Sequence, residues 1–313
     1  MQNILERYIL PIAMVIGITF HKQLYLFSPF LPILISLMLF ITYSRISWKD
    51  IQLTKFHYIL LSIQYLGSAI VYLILRPINE TLAQAVMICI LASTATSAPV
   101  IAGILGGNIA TVAGYSMISN VTLSVVAPIF LSWIGNTGAS INFIDSFWHI
   151  LLKVTPVLIL PFVLVLILRR ITPKFIKIIR SAQNVSFYLW AMSLTIVFGQ
   201  VTQFVITHHN DSLILEVSIA ITSLITCLLQ FYFGRKIGRK FDRTIAGGQG
   251  LGQKNTVLAI WLTQTYLNPI ATLGPGTYVL WQNLVNSWQI WRKKHKDKIE
   301  QQVAETKIES KVN

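Results

Sequence analysis

The sequence predicts an all-α integral membrane protein with about ten transmembrane helices, and three observations support this fold class. Hydrophobic residues make up 54% of the 313 residues and charged residues only 12%, which is about half the charged fraction of a soluble domain. The mean hydropathy is +0.64. The apolar residues form long runs, and most of the basic residues lie between those runs. This pattern is typical of a chain that crosses a lipid bilayer several times.

The excess of basic residues has a second consequence for the choice of partner. A formal net charge of +14 would indicate nucleic acid in a soluble protein. Because the basic residues here follow the ends of apolar runs, we expect the lipid bilayer as the partner and no nucleic acid. Cys89 and Cys227 lie inside apolar runs and indicate neither a disulfide framework nor a metal site. We therefore expect no cofactor.

Ten apolar segments are long enough to cross the membrane, which takes about 20 residues each. They lie near residues 5–21, 24–44, 57–75, 80–105, 108–134, 147–169, 184–206, 212–233, 251–267 and 270–291. The fourth, fifth and ninth segments are interrupted by polar residues and glycines. The stretch between the second and third, Arg45–His57, is interpreted as a short interfacial link.

The distribution of positive charge predicts the orientation of these segments. Basic residues are concentrated in the links 45–56, 169–183 and 234–243 and in the tail 292–313. With ten spans, all four lie on one side of the membrane, so both termini face the cytoplasm of a cell membrane. The tail is polar and charge-alternating, which is typical of a frayed helix or a disordered segment.

We divide the chain into two five-helix repeats and the tail. The first repeat is residues 1–134, the second is residues 135–291, and the basic cytoplasmic tail is residues 292–313. Because each repeat has an odd number of spans, the two repeats have opposite orientations. The fourth and ninth helices then occupy matching places in two inverted repeats.

These two matching helices carry residues that weaken helical structure. The fourth contains "LASTATSAPVIAGILGGN", Leu91–Asn108, and the ninth contains "GGQGLGQKNTVLA", Gly247–Ala259. Proline removes a backbone donor, and glycine lowers helix propensity. Matching breaks in inverted repeats are typical of a transporter binding site, where freed carbonyls bind cations and helix N-termini bind anions. Alternatively, the small residues only allow close packing between helices.

At these segments the chain resembles the bile acid:sodium symporter family. The resemblance rests on "GQKNTVLA" (Gly252–Ala259), on "GGNIATVA" (Gly106–Ala113), on Gln64 in "SIQYLG", and on the final span "PGTYVLWQNLVNSW" (Pro275–Trp288). It covers most of the third to tenth predicted helices. It implies two inverted five-helix repeats, a mobile panel and a core, and two discontinuous helices that cross in the core. It also implies transport of organic anions such as bile acids and pantoate-like or pyruvate-like acids, usually with sodium.

The chain departs from the family where the family binds sodium. The Ser-Asn pair that the family has at the fourth-helix break reads Ala98 and Pro99 here. The glutamate of the ninth-helix crossover reads Gly250, with Gln249 beside it, and the crossover glutamine reads Lys254. The resemblance therefore leaves sodium as the implied coupling ion but leaves its site degraded.

The charged residue in the crossover is the sharpest feature of the sequence. A charge in the membrane interior is costly and usually faces a cavity or a partner. We expect the Lys254 ammonium to take the place of a sodium ion, with hydrogen bonds to Gln64, to carbonyls freed at Pro99, and to the hydroxyls of Ser97 or Ser116. Transport would then be independent of sodium, or coupled to protonation of Lys254, because burial disfavours the charged form.

A structural alternative for this lysine stays open. Lys254 would then reach the cytoplasmic interface as one more charge of the cluster "GRKIGRKFDR", Gly234–Arg243. Two further candidates for a charge within the membrane are Lys153 and Glu216, which lie near the outer surface and would snorkel or pair with each other.

Polar groups at or near the two interruptions are the candidate substrate- and ion-binding residues. They are Lys254, Asn255, Thr256, Gln253, Gln249, Gln64, Ser97, Pro99, Asn108 and Ser116. The predicted function is a secondary transporter of a bile-acid-like or small carboxylate anion by alternating access. The alternatives are a non-transporting receptor or scaffold on the same fold and, more weakly, an intramembrane enzyme. No catalytic pairing supports an enzyme, and "GGQGLGQKNT" lacks the ending of a phosphate-binding loop.

Overall fold

The computed structural model describes residues 2–45, 52–135, 142–181, 183–207 and 213–312. All of the regular elements in these ranges are helices, which confirms the all-α class. Two of them are short 3₁₀ turns, Ser28–Phe30 and Pro269–Thr272. The α-helices are, in chain order, α1 (Gln2–Thr19), α2 (His21–Tyr25), α3 (Leu31–Arg45), α4 (Lys55–Leu75), α5 (Glu80–Leu91), α6 (Ala98–Ile104), α7 (Ile109–Ile134), α8 (Phe143–Ile171), α9 (Pro173–Ser181), α10 (Gln183–Thr207), α11 (Leu213–Arg239), α12 (Thr244–Gly252), α13 (Thr256–Tyr266) and α14 (Leu273–Val312).

Several of these helices have the length and composition of membrane spans. Five described helices qualify: Lys55–Leu75, Ile109–Ile134, Phe143–Ile171, Val185–Phe204 and Leu213–Arg239. Two shorter apolar stretches, Ser28–Ser44 and Glu80–Leu91, accompany them. The protein is therefore a multi-pass membrane protein. The fourth and ninth predicted spans are each composed of two short helices, α5 with α6 and α12 with α13.

The interruption of the fourth predicted helix begins before the proline. α5 ends at Leu91 and α6 begins at Ala98, so the non-helical segment is Ala92–Ser97. Pro99 lies in the first turn of α6, where a backbone N–H has no intrahelical partner in any case. Pro99 therefore starts a helix and does not break one. The link from α6 to α7 contains Gly106 with φ of +85°, a conformation that glycine adopts at low cost.

The interruption of the ninth helix also differs from the expectation. Its glycines were expected to form the break, and this is wrong: they lie inside α12, and the non-helical segment is Gln253–Asn255. The glycines serve packing, which was the structural alternative. A Cβ atom at Gly247 would collide with the carbonyl oxygen of Gly234, and one at Gly252 would collide with the ring of Phe231. The backbones of α11 and α12 are thus in direct contact.

The helices pack in two groups. One group consists of α1, α2, α3, α8, α9 and α10, with α1 and α3 packed on α10 and α3 also on α8 and α9. The other consists of α4–α7 and α11–α14, in which α12 packs on α11, α6 and α7. The two groups are joined by the contact of α7 with α8 and by contacts of α13 with α3 and α10. The two helix breaks lie in the second group.

Three peripheral predictions have different outcomes. Residues 46–51 of the link Arg45–His57 lie outside the described residues, and the end of the link forms the start of α4 with Thr54 as N-cap. The tail, left open between a frayed helix and disorder, has a helical backbone as the continuation of α14 to Val312. Lys153 and Glu216 were expected to snorkel or to pair with each other; the side chain of Lys153 is exposed and that of Glu216 is half-buried.

Candidate substrate and ion site

The two broken helices cross and bond to each other through their backbones. Thr94 and Lys254 form an isolated antiparallel bridge. The backbone N–H of Ala95 donates to the carbonyl oxygen of Gln253 at 2.9 Å, and that of Asn255 donates to Ser93 at 2.8 Å. Extended backbone inside a membrane needs such partners because the hydrocarbon offers none. The non-helical segments of the two broken helices therefore form a short two-stranded contact in the middle of the core.

Lys254 lies at the centre of this crossing and not at the cytoplasmic interface. Its side chain is 1% exposed. The ammonium Nζ donates to the carbonyl oxygens of Ile90 at 2.7 Å and Ala92 at 3.0 Å. These carbonyls belong to the C-terminal end of α5, whereas the sequence had indicated carbonyls near Pro99. The structural alternative, in which the lysine joins the cluster Gly234–Arg243, does not hold.

The charge of this ammonium is balanced by dipoles. Both of its hydrogen-bond partners are backbone carbonyls, and within the part of the chain that the structure describes no carboxylate bonds it. The C-terminal end of a helix carries a partial negative charge, which favours a cation by about 0.3–2 kcal/mol depending on burial. The backbone N–H of Lys254 also donates to Gln282 Oε1 at 2.8 Å. A protonated Lys254 would therefore place a full positive charge here against partial negative ones.

Gln64 is the second side chain that binds the end of α5. It is fully buried, and its Nε2 donates to the carbonyls of Leu91 at 2.8 Å and Ala92 at 3.2 Å. Its Oε1 accepts from Tyr115 Oη at 2.7 Å and Ser119 Oγ at 3.1 Å. Gln64 shares the Ala92 carbonyl with Lys254 instead of bonding the ammonium itself. All hydrogen-bonding groups of its carboxamide are used.

Hydroxyl groups complete the crossing on the α7 side. Thr94 Oγ1 donates to the carbonyl of Gly250 at 2.6 Å, and Ser116 Oγ donates to the carbonyl of Thr94 at 3.2 Å. Ser93 Oγ donates to Asn120 Oδ1 at 2.8 Å. Ser116, a candidate from the sequence, therefore contacts the break without contacting the ammonium.

Of the polar side chains at the crossing, Ser116 on α7 was predicted from the sequence, whereas Ser119 and the three carboxamides of α14 were missed. On α7 they are Tyr115, Ser116, Ser119 and Asn120, which lie on one helical face. On α14 they are Gln282, Asn286 and Gln289, spaced by four and three residues. Such spacing of polar residues within an otherwise apolar helix was a usable signal for a buried polar face.

The carboxamides of α12 and α14 form a separate network. Gln253 Nε2 donates to Ser97 Oγ at 3.3 Å, and Asn286 Nδ2 donates to Gln253 Oε1. Gln249 Nε2 donates to Asn286 Oδ1 at 3.0 Å and to Gln289 Oε1 at 3.3 Å. Within the described residues, Gln249 and Gln253 thus bond side chains of α14 and Ser97, and neither bonds the ammonium.

The remaining candidates occupy the ends of helices. Asn255 is the N-cap of α13, where its Oδ1 accepts from the backbone of Leu258 at 3.2 Å, and Thr256 is the buried first residue of that helix. Asn108 is the exposed N-cap of α7 and accepts from Thr111 at 2.9 Å. The structure therefore brings Asn255 and Thr256 to the crossing and leaves Asn108 outside it.

A cavity of about 1060 Å³ adjoins the crossing. It lies between α1, α3 and α10 of one helix group and the broken helices and α14 of the other. Its polar wall includes Thr96, Ser97, Gln253 and Asn255, and its aromatic lining is Phe187, Trp190 and Trp281. The lining side chains in the described part of the chain are uncharged. The charged side chain of the crossing is Lys254, which lies between the wall residues Gln253 and Asn255 in the chain and does not itself line the cavity.

Comparison with known families decides the identity of this arrangement. The sequence model of the SBF-like CPA transporter family (DUF4137) matches residues 32–274, which include both broken helices. The chain belongs to this family. The resemblance to bile acid:sodium symporters is thereby confirmed. No curated protein gives a significant match.

Membership of the SBF-like CPA transporter family gives the described geometry a general function. The protein is a membrane transporter, and its apolar helices are transmembrane helices. In an SBF-like transporter, a cavity between two helix groups with two interrupted helices in its wall is where a solute would be expected to bind.

Proposed function

We propose that the protein is a secondary transporter of organic anions in which Lys254 replaces a coupling sodium ion. The observation that carries the proposal is the buried Lys254 side chain, whose partners among the described residues are backbone carbonyls at the crossing of two broken helices. Gln253 and Asn255, the chain neighbours of Lys254, line a solute-sized cavity, which would link the charge to transport.

The ammonium resembles a bound alkali cation in its partners. Carbonyl oxygens are hard ligands of the kind that such cations take, and Ile90 and Ala92 supply two of them. The positions at which the bile acid:sodium symporters have sodium ligands read Ala98, Pro99 and Gly250 in this chain. A tethered ammonium supplies the same unit charge without a free ion. The crossing should therefore stay folded in sodium-free solution.

The preference for an anion follows from the same charge. An anion about 10 Å from a unit positive charge gains roughly 1–2 kcal/mol at an effective dielectric constant of about 20. The N-terminal end of α13, with Asn255 at the cavity wall, adds a favourable dipole for negative charge. Aromatic side chains such as Trp190 and Trp281 would contact an apolar body. An organic acid with a carboxylate and an apolar part fits this combination.

Alternating access would use the two helix groups as panel and core. In this proposal the first repeat is residues 1–134 and the second, inverted repeat is residues 135–291. With ten spans and both termini in the cytoplasm, the basic links 45–56 and 169–183 are cytoplasmic. Thr42 and Ser186, which line the cavity, lie a few residues from these links. The cavity would therefore be in the cytoplasmic half of the bilayer.

Counterflow in proteoliposomes tests the proposal. Proteoliposomes that contain the purified protein are loaded with unlabelled acid and then exposed to the same acid in labelled form. The acids are taurocholate, pantoate and pyruvate, each tested in sodium buffer and in choline buffer. We expect exchange of at least one acid at rates that agree in the two buffers. Lys254→Gln should reduce exchange about tenfold or more, equivalent to at least about 1.4 kcal/mol. Lys153→Gln, at an exposed lysine, is the matched control and should exchange like the native protein.

The outcomes separate the parts of the proposal. Absence of exchange with all three acids would favour the receptor or scaffold. Exchange that requires sodium in the native protein would keep the transporter and overturn the replacement of sodium by Lys254. An imposed pH gradient then distinguishes uncoupled transport from coupling to a proton on Lys254.

A further inference from the structure

The short helix α9 begins where the chain leaves the membrane at the end of α8. α8 has 29 residues and is therefore about 44 Å long, which exceeds the roughly 30 Å hydrocarbon core of a bilayer. The helix ends at Thr172, whose φ of −133° and ψ of 67° are not helical. α9 then packs on α3 and α8. We therefore expect α9 to lie at the boundary between hydrocarbon and water.

The side chains of α9 separate into a basic face and an apolar face. The exposed basic residues recur every three positions and are Lys174, Lys177 and Arg180. Helical geometry places the apolar residues on the opposite face. One part of that face is buried in the protein, since Ile176 is 6% exposed. The other part points outward, with Phe175 at 47% and Ile178 at 65% exposed.

The positive charge of α9 has no acidic counterpart in the adjoining sequence. The chain contains no Asp or Glu between Asp145 and Asp211. α3, on which α9 packs, has no acidic residue. Asp145 of α8 lies in the first turn of that helix, at the opposite end from α9. Arg170 adds another exposed charge at the near end of α8. Several exposed cations thus adjoin an exposed apolar surface.

We propose that α9 is an interfacial helix that binds anionic phospholipids. The headgroup phosphates bind the basic face, and the acyl chains cover Phe175 and Ile178. Short basic amphipathic helices lie in the plane of the interface in this way, and basic residues beside a membrane span attract anionic headgroups. A zwitterionic lipid carries its own cation next to the phosphate, and a free phosphate leaves the apolar face in water. An anionic lipid matches both faces.

The position of α9 connects such a lipid to the large cavity. Arg169, at the end of α8, donates to the carbonyl oxygens of Tyr43 and Ser44 at 3.0 Å each, which joins this corner to the end of α3. α10 follows α9 in the chain, and its residues Ser186 and Phe187 line the large cavity. A bound lipid would hold these helix ends at a fixed depth in the membrane. The consequence for transport rests on the function proposed above, whereas lipid binding does not.

Fluorescence quenching by spin-labelled lipids tests the preference for anionic headgroups. Full-length protein with Ile171→Cys, beside α9 at a 70% exposed position, is labelled with bimane and placed in phosphatidylcholine nanodiscs. Cys89 and Cys227 are buried and should not react. Each sample contains an equal small fraction of spin-labelled phosphatidylglycerol or phosphatidylcholine. We expect phosphatidylglycerol to quench like an about fivefold higher fraction of phosphatidylcholine, which is the ratio that one basic residue near an anionic surface supplies.

Matched variants assign the preference to α9. Lys174→Gln with Lys177→Gln should abolish the difference between the two lipids. Lys236→Gln with Lys240→Gln removes the same charge from exposed positions at the end of α11 and should leave the difference unchanged. Inorganic phosphate added at constant ionic strength should also leave it unchanged, because a free anion has no acyl chains to cover the apolar face.

Spin labels on α9 itself test how the helix lies in the membrane. A label at Ile178→Cys should be more accessible to dissolved oxygen, which concentrates in hydrocarbon, than to a water-soluble nickel complex. A label at Lys177→Cys should show the reverse order.

Three results would overturn the proposal. Equal quenching by the two lipids would mean that α9 does not select anionic headgroups, and loss of the difference in phosphate would assign the basic face to a free anion. A label at Ile178→Cys that neither reagent reaches would mean that protein, such as a second copy of the chain, covers the apolar face. None of these measurements requires transport, so they succeed or fail independently of the proposed function.

Discussion

The two helix breaks differ in what they contribute to their crossing. The break Ala92–Ser97 follows the C-terminal end of α5, which presents the carbonyls of Ile90, Leu91 and Ala92. The break Gln253–Asn255 presents a cation and its own N–H groups. Backbone hydrogen bonds run both ways between the breaks, since the Ala95 N–H donates to Gln253 and the Asn255 N–H donates to Ser93. The difference between them lies in the Lys254 side chain: its Nζ donates to two carbonyls at or just before the start of the first break, which we call the acceptor break, and no side chain of the first break does the same for the second within the described residues.

The largest expected effect comes from packing around the second break. A Cβ atom at Gly247 would collide with the carbonyl oxygen of Gly234, so Gly247→Ala must separate α11 from α12. At Gly103, near the first break, a Cβ atom would meet only the flexible side chain of Ile109, at 2.8 Å. We expect Gly247→Ala to give little monodisperse protein in size-exclusion chromatography and Gly103→Ala to give near-native amounts. Equal yields would mean that the helix contact at Gly247 is not rigid.

The next effect concerns the acceptor break. Gln64→Leu leaves the Leu91 carbonyl, Tyr115 Oη and Ser119 Oγ without the partner that Gln64 supplied. Each unpaired buried group costs about 1–3 kcal/mol. We expect the apparent melting temperature in detergent to fall by several degrees or more. The melting temperature of Gln64→Glu, which keeps the acceptor oxygen, should fall less than that of Gln64→Leu. A native melting temperature for Gln64→Leu would contradict this account.

Removal of the cation should affect transport more than stability. Lys254→Met leaves the Ile90 carbonyl unpaired, at about 1–3 kcal/mol, but it also removes a charge that was costly to bury. Gln64 still donates to Ala92. We therefore expect a smaller change in melting temperature than for Gln64→Leu, together with loss of anion exchange. A variant that exchanges anions at the native rate would show that the charge is dispensable.

The smallest expected effect compares two helix caps. Asn255 and Asn108 both accept from a backbone N–H of the helix that follows, and only Asn255 lines the cavity. Loss of an N-cap costs about 0.5–2 kcal/mol. Asn255→Ala and Asn108→Ala should therefore lower the melting temperature to a similar extent, and only Asn255→Ala should weaken exchange. A transport defect in Asn108→Ala would contradict this division.

Part of this site could be predicted from sequence because polar residues inside apolar runs are rare and informative. Lys254, Gln253 and Asn255 were identified in this way, whereas Gln64 was identified from the family resemblance. The structure places all four at or beside the crossing. The family match over residues 32–274 includes all four positions.

The partners of the lysine could not be predicted because they are backbone atoms. Which carbonyls are free depends on where α5 ends, and Pro99 indicated a later end than Leu91. The role of the glycines was also ambiguous, since a glycine that breaks a helix and one that allows close packing look alike in sequence. Contact between Gly247 and Gly234 depends on how α12 folds back onto α11.

Binding of radioactive sodium to the purified protein tests most directly whether the ammonium replaces an ion. The native protein should show no saturable sodium binding, because the Lys254 ammonium already bonds the Ile90 and Ala92 carbonyls. Lys254→Ala frees those carbonyls and should bind sodium weakly or not at all, while Lys153→Ala should behave like the native protein. Saturable, stoichiometric sodium binding by the native protein would contradict the account.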